Sequence, residues 1–173
     1  MECKPASARG HHYIIVVIDY FTKWAEARPT FNCMAMTVAH FFFNHIISHF
    51  SVPKQLIFDH GKHFENEIFE ELSSLLGFRY DFSTPYYPQA NGQVEEVNKI
   101  LKTMLQRSID KNHSNWHNQL YFAIWAYHMT IKTMTEFTPF HLFHGIKALF
   151  PIKFEIPSLC SAFDLVPDTT PLT

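Results

Sequence analysis

Cysteine, net positive charge and long hydrophobic runs are all scarce in this sequence of 173 residues. Its three cysteines, Cys3, Cys33 and Cys160, lie far apart and form no Cys-x-x-Cys pair, which disfavours a disulfide framework and a four-ligand structural zinc site. Reduced thiols fit an intracellular protein, in the nucleus or the cytoplasm. The formal net charge is −2, so overall charge does not indicate nucleic-acid binding, which would have to depend on local sites.

Membrane and secretion signals are also missing from the sequence. No uninterrupted apolar run approaches the length of a membrane span, and the run at residues 13–18 has the length of a buried strand. The first residues (MECKP) lack the charged and apolar regions of a signal peptide. A hydrophobic fraction of 47% with 18 phenylalanines, and no internal repeat, predicts one folded domain.

The order of predicted elements indicates an α/β fold with a mixed sheet and crossover helices. Apolar content and spacing predict strands over residues 12–19, 23–28, 54–58 and 78–82, and helices over residues 34–50, 66–76, 93–111, 114–129 and 138–145. We expect Pro29 to close the second strand and Leu75 to point inward from its helix. Residues 84–92 are predicted to be a loop. The predicted organisation is a tail (1–10), a core (11–150) and a C-terminal extended arm and tail (151–173).

Two carboxylates carry the chemistry suggested by the sequence. Asp59 follows an apolar run, and Glu95 lies near the start of an amphipathic helix, with 35 residues between them. Carboxylates from a strand end and a helix can converge on Mg²⁺, a hard cation that prefers oxygen ligands. This pattern indicates phosphoryl transfer on nucleic acid by metal ions, for which a third carboxylate is expected.

Several motifs, in order along the chain, resemble the integrase core of gypsy-type LTR retrotransposons, especially those of plants. They are residues 13–24 (YIIVVIDYFTKW), 58–64 (FDHGKHF), 86–95 (YYPQANGQVE), 126–130 (AYHMT) and 137–140 (FTPF). The resemblance extends from about residue 5 to residue 158. It implies an RNase H-like fold, a mixed sheet flanked by helices, and an enzyme that joins element DNA to host DNA.

The resemblance also implies roles for individual residues. Asp59 and Glu95 match the second and third members of the Asp-Asp-Glu triad, which binds Mg²⁺ or Mn²⁺. Four further residues match positions that contact DNA: Tyr86, Asn91, Lys99 and Lys102. The implied partners are the element ends, the target DNA and further copies of the chain.

The first triad aspartate has no counterpart in the sequence. Asp19 matches the end of the second strand of the family and not the first, so the resemblance implies an N-terminally truncated core without its first central strand. We therefore expect weak metal binding and impaired 3′-end processing and strand transfer. Four residues depart from the usual pattern of the family, namely Phe58, Glu96, His128 and Glu136; Glu96 and His128 stand where Arg is common.

Other readings stay open. The chain could be a non-catalytic nucleic-acid-binding remnant or a repurposed domain, or a generic RNase H-like nuclease. Asp19 could substitute for the missing ligand, Asp59 could be a turn residue, and Glu95 could be a first-turn glutamate favoured by the helix dipole. Lys99 and Lys102 could form a solvated helix face. The pairs His60/His63 and His113/His117 lack the other residues of a metal site.

Overall fold

The computed structural model describes residues 1–58, 67–82, 89–108 and 114–148, and only the backbone at 89–91 and 108. Its elements follow the order predicted from the sequence: β1 (Tyr13–Ile18), β2 (Ala25–Thr30), α1 (Ala35–Phe41), a π-helical segment (Phe42–Ile47), α2 (Ser48–Phe50), β3 (Gln55–Phe58), α3 (Glu67–Leu76), β4 (Arg79–Phe82), α4 (Gln89–Ser108), α5 (Trp116–Met129) and α6 (Pro139–His144). None of the described helices is long and apolar enough to cross a bilayer.

The strands form two separate pairs. β1 and β2 are antiparallel, with Tyr13 opposite Thr30, whereas β3 and β4 are parallel, with Gln55 opposite Arg79. Both orientations of the predicted mixed sheet are therefore present. Within the described residues, however, no hydrogen-bonded strand joins β1 to β3.

The outer edge of β1 is partly occupied by the start of the chain. The Asp19 N–H donates to Trp24 O, and because bonded pairs alternate along an antiparallel ladder, Val16 and Ile18 direct their backbone groups away from β2. The backbone N–H and C=O of Ile14 also point away from β2, and they form two hydrogen bonds of 2.8 Å with Met1. The first residues, predicted as a tail, thus lie antiparallel to β1.

The apolar side chains of β1 alternate between two helical layers. Ile14 packs with α4 and α5, whereas Ile15 and Val17 pack against α1, the π-helical segment and their neighbours. Large, fully buried side chains of the two layers include Ile14, Val97, Leu101 and Leu120 on the first face and Phe42 and Phe69 on the second. This period of two is that of a strand covered on both faces.

Three details differ from the sequence predictions. Pro29 lies within β2 because it is opposite Ile14 in a non-bonded pair, where its missing N–H would point to the outer edge. Leu75 is 82% exposed, since it lies about 120° around the helix from buried Phe69. α4 begins at Gln89, so residues 89–92 of the predicted loop are helical. Gly92 in the first turn costs about 1 kcal/mol relative to Ala, which burial along a 20-residue helix offsets.

Candidate active site

α4 presents Glu95 to solvent on the face opposite its buried stripe. Val97, Leu101 and Leu105 are spaced by four residues and pack into the core. Glu95, Lys99 and Lys102 are exposed and follow one another at spacings of four and three residues. They therefore share one helical face, as the sequence predicts.

Glu95 lines an open cleft between the two strand pairs. The cleft, which we call the β1–β3 cleft, has a volume of about 580 Å³ and is bordered by all of β1 and all of β3. Val38 and Ile46 close it on one side, and Val94, Glu95 and Asn98 line it on the other. A carboxylate thus lines the cleft that separates β1 from β3.

Asp19 lines the same cleft, but its carboxylate closes the β1–β2 turn. Its Oδ2 accepts hydrogen bonds from the Thr22 hydroxyl at 2.5 Å and the Thr22 N–H at 3.1 Å, and its Oδ1 accepts the Phe21 N–H at 3.4 Å. Both oxygens already have donors within the turn. Aspartate side chains commonly accept such hydrogen bonds from the backbone of a turn that follows a strand.

Several predicted site residues lie outside the described residues. These are Asp59 and Tyr86, together with His60, His63 and His113. For Asn91 only the helical backbone is described. Phe58, which precedes Asp59 in the sequence, is buried at the end of β3 with its ring 4.8 Å from that of Phe69.

Asn98 is a site residue that the sequence motifs did not reveal. It lines the β1–β3 cleft three residues after Glu95, and its buried Oδ1 has no hydrogen-bond partner among the described residues. A buried amide oxygen without a partner is costly, so this acceptor calls for a donor or a cation. The only available signal was its i+3 spacing from Glu95.

The oxygen atoms of this cleft suit a hard cation. The Glu95 carboxylate and Asn98 Oδ1 are the oxygen ligand types that Mg²⁺ takes. Within the described ranges, no group of three or more His, Cys, Asp or Glu is placed to hold a metal. A complete site would need ligands from beyond those ranges.

The Glu96 carboxylate interacts with Lys132. Burial lowers the pKa of Lys132 to about 8, and the nearby Glu96 carboxylate opposes this shift. The Lys132 ammonium lies 3.4 Å from the centre of the Tyr127 ring, a cation–π contact. Burial raises the pKa of the Tyr127 hydroxyl, and Glu96 adds to that effect. The charged neighbour of Glu96 is therefore Lys132, and not a group at the Glu95 site.

A family model and curated relatives agree with the sequence motifs. The model of the "Integrase core domain" matches residues 1–88, about half of the chain. The Transposon Tf2-3 and Tf2-4 polyproteins of Schizosaccharomyces pombe are each 29% identical over 157 residues, or 90% of this chain. The chain spans only 12% of the length of these curated relatives.

Solved structures show the same fold. The catalytic core domain of BIV integrase is 24% identical with a TM-score of 0.62, over 76% of this chain and 85% of that one. A simian T-cell lymphotropic virus intasome is 23% identical with a TM-score of 0.63, over 92% and 52% of the two chains. The fold is therefore the RNase H-like fold of integrase catalytic cores. The chain belongs to the integrase core domain family, where it is similar to the integrase cores of LTR retrotransposons, as its sequence motifs predict.

Proposed function

We propose that this chain is part of a retrotransposon integrase core and takes part in metal-dependent DNA integration, through 3′-end processing and strand transfer. One observation carries this proposal: Glu95, from the glutamate motif, lines the β1–β3 cleft with its carboxylate exposed. Because α4 begins at Gln89, Glu95 lies beyond the first turn, which is where the helix dipole would favour a carboxylate. Membership of the integrase core domain family supports the same conclusion.

Each proposed site residue has a defined task. Asp59 and Glu95 would hold Mg²⁺ or Mn²⁺, which when bound supplies the charge that activates a water or a 3′-hydroxyl and stabilises the leaving oxygen. Lys99 and Lys102, both exposed beside Glu95, would contact the DNA backbone through charge. Tyr86 and Asn91 would contact the DNA end.

We propose that the 173-residue chain alone has low activity. Two-metal sites of this kind use three carboxylates in the family. The two other carboxylates that line the described cleft, Asp19 and Glu26, already accept hydrogen bonds from Thr22 and Trp24. Metal binding should accordingly be weak. Tight binding of two Mn²⁺ ions per chain in a calorimetric titration would contradict this expectation.

The test is a disintegration assay, the reversal of strand joining, with Mn²⁺ and a branched DNA substrate. We expect low activity that Glu95→Gln abolishes, because this substitution removes the charged oxygen while keeping the size of the side chain. Glu96→Gln is the matched control, since it removes one charge at the adjacent position but does not line the cleft. Equal activity in the two variants would show that Glu95 has no role in catalysis.

A non-catalytic, nucleic-acid-binding remnant is the second candidate function. The carboxylates of Asp19 and Glu26, which line the same cleft as Glu95, favour it, because both already accept hydrogen bonds from neighbouring residues of the chain. DNA binding that survives Glu95→Gln but falls with Lys99→Gln and Lys102→Gln, without any strand joining, would select this function. Cleavage of an RNA–DNA hybrid would instead indicate a nuclease.

A further inference from the structure

A second cavity, whose lining does not include Glu95, is lined by several positively charged and titratable side chains. It has a volume of about 400 Å³ and lies between β2, α1 with its π-helical continuation, and the start of α5. We call it the Arg28 cavity; its basic lining residues are Arg9, His11, Arg28, His40, His45 and His117. Among the described residues that line it there is no Asp or Glu, and none of them also lines the β1–β3 cleft.

Three buried polar atoms in this cavity have no hydrogen-bond partner among the described residues. They are Arg28 Nε, Thr30 Oγ1 and His117 Nδ1. His117 is only 6% exposed. The guanidinium N–H and the hydroxyl are donors, and leaving buried donors unpaired is costly. Arg28 and Thr30 thus bring two unpaired donors to the lining of one cavity, and the His117 ring nitrogen donates in one of its tautomers, which indicates an acceptor-rich ligand.

The side chains around these atoms are held in place by other contacts. Arg28 Nη1 donates to the Tyr121 hydroxyl at 3.0 Å, and the guanidinium lies 5.3 Å from the centre of the Tyr121 ring. His11 Nδ1 is hydrogen-bonded to Ser7 Oγ at 2.9 Å, and its ring stacks on Phe31 at 4.5 Å. Such fixed donors bind a ligand without paying a large ordering cost.

The positive charges in the cavity are mutually unfavourable. Burial lowers the pKa of His11, and His117 and Arg9 lower it further. Burial also lowers the pKa of His45, and Arg28 adds to that shift, although Glu26 opposes it. An anion in the cavity would reverse these repulsions.

We propose that the Arg28 cavity binds a phosphate group. Phosphate is an anion at neutral pH, it matches the fork of an arginine guanidinium, and its several acceptor oxygens can each accept a different donor. The cavity volume falls within the range of small-ligand sites, so a phosphate carried by a small molecule fits as well as a free one. A DNA backbone is the other source of the same group.

The test is isothermal titration calorimetry of the full chain with inorganic phosphate. We expect one saturable site, weakened about tenfold or more by Arg28→Met, because a hydrogen bond to a charged group is lost along with the charge. Arg79→Met is the matched control, since Arg79 is exposed in β4 and lies outside the cavity. Equal weakening by both variants, or no saturable binding, would overturn the proposal.

Thr30→Val tests phosphate binding in the Arg28 cavity even if Arg28→Met does not fold. It removes a buried hydroxyl without a partner, so we expect the unliganded chain to be as stable as before or more stable, while phosphate binding weakens. Unchanged phosphate affinity in Thr30→Val would count against the site.

A second titration distinguishes the sources of the phosphate. A short DNA duplex that displaces inorganic phosphate, and loses affinity with Arg28→Met, identifies the DNA backbone as the source. Inorganic phosphate binding that the duplex leaves unchanged identifies a free or small-molecule phosphate. Both outcomes are separate from the strand-joining assay, which depends on the other cleft.

Discussion

His128 is a buried histidine on α5. Its Nε2–H donates to Ala25 O at 2.9 Å, and its ring stacks on Trp24 with 3.8 Å between centroids. Burial lowers the pKa of His128 to about 4; the bond to Ala25 opposes this shift, and Lys132 and His144 add to it. A neutral ring therefore lies between α5 and β2.

This histidine makes stability depend on pH in a defined direction. The unfolded chain binds a proton near pH 6.5, whereas the folded chain does so only near pH 4, so the contribution of His128 is full above pH 6.5 and is lost as pH falls to 4. The loss should reach about 3 kcal/mol. His128→Gln keeps an N–H donor but does not titrate, and urea unfolding should show a flatter pH dependence for this variant.

The matched control for His128 is His49→Gln, at an exposed position on α2. The wild-type chain and His49→Gln should lose stability in parallel between pH 6.5 and 4. If His128→Gln follows the same curve as these two, the ring of His128 is already accessible to protons in the folded chain.

The Glu96 carboxylate supports the charge of Lys132. Since it opposes the effect of burial, Glu96→Gln should lower the pKa of Lys132 below its value of about 8. NMR titration of the lysine side chain measures this shift directly. Glu95→Gln, one residue earlier on the same helix, should leave the titration unchanged, and an equal shift in both variants would contradict a specific Glu96–Lys132 interaction.

At the scale of elements, β1 and β3 each have backbone groups that point into the cleft between them, where a further strand would pair with both. Met1 is opposite Ile14 and antiparallel to β1, so chain placed two and four residues before Met1 would be opposite Val16 and Ile18. On β3, Arg79 N donates to Lys54 O, which leaves Gln55 and Ile57 with their backbone groups facing away from β4. Both edges line the same cleft.

We therefore predict that an N-terminal extension of about six residues with strand propensity stabilises the chain by pairing with both edges. Amide hydrogen exchange should slow at Val16, Ile18 and Ile57, because their N–H groups gain partners. An extension of equal length with proline at alternate positions is the control, since proline cannot donate. Similar exchange rates with both extensions would mean that the cleft does not accept a strand.

The sequence predicted the elements well where one physical signal dominated. The strand at β1 followed from an apolar run, and α6 followed from Thr138 and Pro139, whose cap is present as a hydrogen bond from His141 N to Thr138 Oγ1. The prediction for Pro29 was wrong because a strand accepts proline only where the proline nitrogen faces away from the partner strand. Which way it faces depends on how the strands pair, and the local sequence does not show this. Leu75 was misjudged because a ten-residue helix has an uncertain apolar boundary.

The candidate site was only partly predictable for a similar reason. The sequence placed Glu95 on an exposed helical face, which is a local property of α4. It could not place Asn98 in the cleft, nor gather Arg28, Thr30 and His117 around one cavity, because these residues come from elements far apart in the chain. The metal and DNA roles of the motif residues remain predictions.

At the scale of the whole molecule, α5 carries a large exposed aromatic surface. Tyr121 is 55% exposed, Phe122 69% and Trp125 41%, and all three lie within one turn of the outer side of the helix. Exposed apolar patches of this kind are typical of protein–protein contacts. A formal net charge of −2 offers little electrostatic repulsion between copies. We therefore propose that the chain self-associates through α5.

The corresponding prediction is that Phe122→Glu shifts the chain towards its monomer mass of 20.3 kDa in size-exclusion chromatography with light scattering. A charge at the centre of the patch must be desolvated when two copies meet, which costs several kcal/mol. Phe21→Glu is the matched control, because Phe21 is 81% exposed on the β1–β2 turn, away from α5. Both variants carry the same added charge, so a mass that falls in both would point to repulsion, whereas a mass that falls only in Phe122→Glu locates the contact on α5.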